Sequence, residues 1–88
     1  MVKDDQHAWE CLKAGETEAL GYFYDKYVDS LIAYGFYLNL DKAKTKDCIH
    51  DIFLDIFKYR ESISGVSNTK SYLISCFRRK VFKDKRHL

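Results

Sequence analysis

Apolar side chains recur along this chain at intervals of three and four residues, and no segment alternates apolar with polar positions over a sustained run. That period belongs to helices packed by one face. Four segments carry it. Residues 5–14 place Ala8, Trp9 and Leu12 on one side and stop at Gly15. Residues 17–38 draw one continuous stripe of Leu20, Phe23, Tyr24, Tyr27, Val28, Leu31, Tyr34, Gly35 and Leu38. Gly35 costs that helix roughly 1 kcal/mol relative to Ala, which a close helix–helix approach would explain. Asn39 is suited to end the second helix and Asp41 to begin the third. The third, over residues 41–59, marks its buried face with Ile49, Ile52, Phe53, Ile56 and Phe57. Residues 61–68, ESISGVSN, read as the only real loop. Ser67 or Asn68 then caps a fourth helix over residues 69–86. The expected fold class is all-α, a small bundle of about four helices with no sheet, in a single domain over residues 1–88.

Composition narrows the class. At 88 residues only a modest core is available, but 47% hydrophobic content argues for a folded chain. The absence of Pro leaves little to break helices. No apolar run is long enough to span a bilayer, and the opening MVKDDQHAW lacks the apolar stretch of a signal peptide. Cys11, Cys48 and Cys76 are odd in number, far apart and without a CxxC, which suits thiols in a reducing cytoplasm better than a disulfide framework. No pair of ligands has finger-like zinc spacing.

Charge is distributed unevenly. Residues 70–88 hold seven Lys/Arg against Asp84, a net of +6, whereas the first 69 residues carry −4, so the overall +2 hides an acidic body and a basic end. On a wheel of roughly 100° per residue, Tyr72, Leu73, Ile74, Cys76, Phe77 and Val81 fill one arc of the fourth helix. Arg78, Arg79, Lys83, Lys85 and Arg86 fill the complementary arc, with Phe82 among them. An exposed ring flanked by guanidinium groups can stack on a base while the cations hold phosphates. A solvated charged face with one stray aromatic accounts for the same pattern.

The third helix has its own odd face, where Asp47, His50, Asp51, Leu54, Asp55 and Lys58 step along one stripe largely opposite Ile49, Ile52 and Ile56. An acidic ridge with an apolar knob looks like a docking surface for a basic helical partner. Single exposed leucines are also common. Asp47, His50 and Asp51 read as metal ligands would need more from a second helix, and none is evident, so no metal is expected. His7, His50 and His87 have no nucleophile pattern near them, and there is neither a GxSxG nor a glycine-rich phosphate loop, so no enzyme is expected. His7 reads as surface on a frayed first helix, and the tyrosines of the second helix read as core and rim.

Residues 47–57, DCIHDIFLDIF, resemble the Asp-x-x-Gln-Asp/Glu-x-Phe-Leu-x-x-Trp signature of bacterial RNA polymerase sigma factors, in the domain called region two of the extracytoplasmic-function group. Upstream, residues 12–20, LKAGETEAL, are similar to that group's opening, and Tyr24 and Tyr27 follow as in its Tyr-x-x-Tyr. Downstream, residues 68–73, NTKSYL, resemble its Asn-x-Lys-x-Trp-Leu segment, and Arg78 and Arg86 match later arginines. The four pieces fall in order over nearly the whole chain. His50 stands where the family carries Gln, Tyr72 where it carries Trp, Arg79 where Asn is common and Lys83 where Asp is common.

The resemblance implies a module that docks on core RNA polymerase and holds melted promoter DNA, with no cofactor. Asp47, His50, Asp51, Asp55 and Lys58 would contact the clamp helices of the largest subunit, with Leu54 as the apolar anchor. Ser64, Gly65, Val66, Ser67 and Asn68 of the loop, with Lys70, Tyr72, Arg78, Arg79, Phe82, Lys83 and Arg86, would bind the non-template strand of the minus-ten element. An anti-sigma factor is a further implied partner, and a cytoplasmic location without membrane insertion is implied as well. The family's region-four helix-turn-helix has no counterpart in these residues. The alternative left open is a protein-interaction module that binds polymerase or an anti-sigma partner without binding DNA. A basic helix lying on an anionic membrane ranks below both, because the aromatics are shared among the helices of one core.

Overall fold

The computed structural model describes the backbone of residues 1–86 and the side chains of residues 1–83. Four helices account for the architecture: α1, Asp5–Lys13; α2, Glu18–Tyr37; α3, Lys42–Lys58; and α4, Thr69–Arg86. No strand occurs among the described residues, so the chain is an all-α bundle.

The ends of the helices follow from local chemistry. Asp4 caps α1 by accepting from the His7 amide at 2.8 Å. His7 is half-buried, and its Nδ1 accepts from the Lys3 amide at 3.0 Å, so the start of α1 is tied down rather than frayed. Gly15, at φ 91°, ends α1: its amide bonds to Leu12 O and the next amide, of Glu16, reaches back to Cys11 O. Asn39, at φ 62°, does the same for α2, with its own amide on Phe36 O and the Leu40 amide on Gly35 O. Asp41 caps α3 through the Lys44 amide at 2.7 Å, and Asn68 caps α4 through the Ser71 amide at 2.9 Å.

The expected loop is shorter than 61–68, because Arg60–Ser62 form a turn of 3₁₀ helix. Arg60 organises it. Its Nη1 donates to Phe57 O at 2.9 Å, its guanidinium lies 4.4 Å over the Phe57 ring, and it packs against Gly15 at the end of α1.

Each helix gives one stripe to a single core. Leu12 of α1, Phe23 and Leu31 of α2, Ile49, Ile52 and Ile56 of α3, and Leu73, Phe77 and Val81 of α4 are all buried in it. Helix α2 packs against each of the other three. Where α2 meets α3, a Cβ on Gly35 would lie 2.6 Å from both Cγ2 and Oγ1 of Thr45. Thr45 is buried, and its hydroxyl donates to Asp41 O at 2.8 Å, so it has no cheap way to turn aside. Gly35 thus sits where α2 and α3 approach closely.

Asp5 ties α1 to α2. Its carboxylate accepts from Tyr22 Oη at 3.0 Å, from Lys26 Nζ at 2.8 Å and from the Tyr27 hydroxyl. Burial pushes this carboxyl up, but the hydrogen bonds, led by Lys26 and Tyr27, outweigh it and hold its pKa at about 2. The same ion pair raises the Lys26 ammonium above its ordinary range.

Two outcomes are expected. Gly35→Ala gains about 1 kcal/mol of helix propensity but forces overpacking worth roughly 1–3 kcal/mol, and the clash with a pinned Thr45 decides the sign. Thermal melting should show a net loss of a few degrees, partly recovered when Thr45→Ala is added. For Asp5, a carboxyl depressed from 3.8 to about 2 stabilises the fold above its unfolded value and loses that contribution as pH falls from about 5 to 2. Urea titrations should show Asp5→Asn less stable near neutrality by roughly 1–2 kcal/mol, discounted for the half-exposed Lys26 partner, with the difference closing at low pH.

Candidate functional site

Two faces of the bundle remain outside the core. On α3, Asp47, His50, Asp51, Leu54, Asp55 and Lys58 are all exposed, and Leu54 shows 67% of its surface. The cause is the helical period: Cys48, Ile49, Ile52, Phe53 and Ile56 turn inward and leave the intervening positions to solvent. Asp47 and Asp51 have no ion-pair partner among the described residues. Asp55 differs, since its carboxylate accepts from Lys80 Nζ of α4 at 2.9 Å. Lys58 Nζ lies 5.3 Å over the Tyr59 ring, so the ridge ends in a cation–aromatic pair. Among the described residues no group of three or more His, Cys, Asp or Glu is arranged to hold a metal ion.

On α4, Leu73, Phe77 and Val81 face inward, and Lys70, Arg78, Arg79, Phe82 and Lys83 are exposed. Phe82 is 45% exposed, with the Arg78 guanidinium 5.4 Å over its ring. Arg78, Arg79, Phe82 and Lys83 line one shallow surface depression. The Arg79 guanidinium also donates to Cys76 Sγ at 3.6 Å. The Arg86 side chain lies outside the described residues.

The loop residues are not gathered with that cationic face. Ser64, Gly65, Val66 and Ser67 line a cleft of about 650 Å³ shared with α1, whose Gln6, Trp9, Glu10 and Lys13 form the other wall. Gly65, at φ 69°, turns the loop through a conformation that a side chain resists. Asn68 spends its carboxamide oxygen on the α4 cap. A second, smaller groove of about 320 Å³ runs between α3 and α4 and includes Tyr72, Cys76, Arg79 and Lys83. Ile63 borders both, so the loop divides an α1-side cleft from an α4-side groove. Burial, and then the adjoining Cys76 thiol, raise the Tyr72 phenol above its ordinary value.

Sequence reasoning missed the α1 wall. Trp9 Nε1 donates to Thr69 Oγ1 at 3.0 Å across 60 residues of chain, and the Trp9 ring packs on Phe23 and edge-on to Tyr72. These contacts hold α1 beside the loop. No local signal announces them, because each partner reads simply as an apolar or capping position in its own helix. The placement makes the two openings chemically distinct. The α1-side cleft mixes carboxylates (Asp5, Glu10), hydroxyls and one ammonium, a lining suited to hydrogen bonding a polar planar group. The α4 face offers guanidinium and ammonium groups around a ring, suited to a polyanion.

Compared with known protein-family models, curated proteins and solved structures, the chain finds no match.

Proposed function

We propose that this chain is a transcription-initiation specificity module of the sigma region-two type. It docks on core RNA polymerase through α3 and holds the melted non-template strand of the minus-ten element with α4 and the loop before it. One arrangement supports this reading above the others: two exposed faces of opposite sign stand on adjacent helices and, among the described residues, neutralise each other only at Asp55 and Lys80. Asp47 and Asp51 stay unpaired among the described residues, and the basic face keeps a half-open aromatic ring between its cations. A basic coiled coil meets the first face, where Leu54 is the apolar anchor and the carboxylates set register. Asp55 takes part with Lys80 already beside it, so its charge counts for less than that of Asp51. Cations on a rigid helix hold the backbone of an unpaired strand, while bases stack or enter clefts that duplex DNA has no way to reach. The work done is selective binding of the open strand over the duplex.

The α1-side cleft bears on the other reading. Asp5 and Glu10 repel phosphate, so the loop serves DNA only by taking a base edge, and a protein side chain fits the same description. A pure protein-interaction module binds the clamp helices with no strand affinity.

Clamp-helix binding measured by fluorescence anisotropy should weaken about tenfold or more for Asp51→Arg and for Leu54→Ala; unchanged affinity in both removes the docking face. Affinity for a single-stranded minus-ten oligonucleotide should fall for Arg78→Ala with Arg79→Ala. The slope of log K against log salt should flatten by about 0.7 for each phosphate no longer neutralised. A slope that does not move assigns the strand elsewhere, and absence of strand binding in the parent chain selects the protein-only module.

A further inference from the structure

The groove between α3 and α4 carries features that holding a DNA strand does not require. Its floor includes Ile52 and Ile56, which are 2% and 3% exposed. One wall is a single face of α4, where Tyr72, Cys76, Arg79 and Lys83 step by four, three and four residues. In that order the wall passes from a phenol ring through a thiol to two cations, over about 16 Å. Asp55 is the one acid lining the groove among the described residues, and its carboxylate accepts from Lys80. Arg79 and Lys83 have no carboxylate partner among the described residues. The groove is therefore polarised, apolar and aromatic toward the start of α4 and cationic further along it.

We propose that this groove binds a small amphipathic anion, a hydrocarbon chain ending in a carboxylate. The head sits on Arg79 and Lys83, and the chain lies over Ile56 toward Tyr72. Charge complementarity selects a ligand that is anionic at one end only. A nucleic-acid strand repeats its charge at every nucleotide and leaves the apolar half unused. A peptide brings amides that need partners, and both walls are helix sides whose backbone groups bond within the helix. Apart from the Tyr59 and Tyr72 hydroxyls, the apolar half offers those amides little, whereas a hydrocarbon chain asks for no hydrogen bond. The volume of about 320 Å³ suits one small molecule. The site shares Arg79 and Lys83 with the strand-holding face, but none of its contacts requires a strand.

Isothermal titration calorimetry of the full chain with decanoate, below its micelle-forming concentration and with no nucleic acid present, tests the site. A dissociation constant on the order of 10⁻⁴ M is expected. Arg79→Ala and Lys83→Ala should each weaken binding several-fold, with circular dichroism melts showing that these surface variants keep the fold. Decanol should bind more weakly than decanoate, and decyltrimethylammonium should not bind. Position is read from Cys76, which lines the groove, against Cys11, which does not. At ten times the dissociation constant, decanoate should slow maleimide labelling of Cys76 about tenfold, followed by peptide mass spectrometry, and leave Cys11 unchanged. Absence of decanoate binding overturns the proposal. So does equal affinity for decanol, binding that both alanine variants leave intact, or protection that spares Cys76 or extends equally to Cys11.

Discussion

The approach of α3 to α2 at Gly35 is the constraint on which the rest of the molecule turns. A missing side chain at that point lets Thr45 sit where a methyl group would otherwise stand, and the buried Thr45 hydroxyl is already committed to Asp41 O. Contact at this distance fixes the spacing of the apolar stripes of α2 and α3. Helix α2 then reaches α1 and α4 as well, so one small core serves all four helices. A chain of this length has no second core with which to correct an error in the first.

The shared core also explains the surface. Each helix has a single apolar stripe to give, and giving it inward leaves its charged positions outward. Because α3 and α4 meet through Ile52, Ile56, Leu73 and their neighbours rather than through polar side chains, their opposite charges come together only at the Asp55–Lys80 pair among the described residues. Asp47 and Asp51 on the one side and Arg78 and Lys83 on the other remain exposed. An exposed ion pair of this kind contributes little stability, roughly 0–1 kcal/mol, and its significance lies in marking the seam between the two faces.

The loop between α3 and α4 is held at both ends and open in the middle. Arg60 pins its start to Phe57 and to the end of α1, and Asn68 locks its finish into the α4 cap. Trp9 and Asp5 bring α1 alongside, one through Thr69 and the other through the tyrosines of α2. The exposed serines between these anchors therefore face a wall of fixed position, which is what a cleft needs if it is to discriminate among ligands by hydrogen bonds.

Much of this was legible in the order of residues. Helix limits follow from local rules, and Asp4, Gly15, Asn39, Asp41 and Asn68 act within a few residues of their own backbone. The inward and outward faces of α3 and α4 follow from the 3.6-residue period, which needs no knowledge of the partner helix. Tertiary structure alone decided which faces meet. The packing of Arg60 against Gly15, the Trp9–Thr69 bond, the Asp5 cluster and the pairing of Asp55 with Lys80 all join residues whose separation in the chain says nothing of their separation in space. Local periodicity sets the direction of a side chain relative to its own helix axis; only the packing of four axes around one core sets what it then encounters.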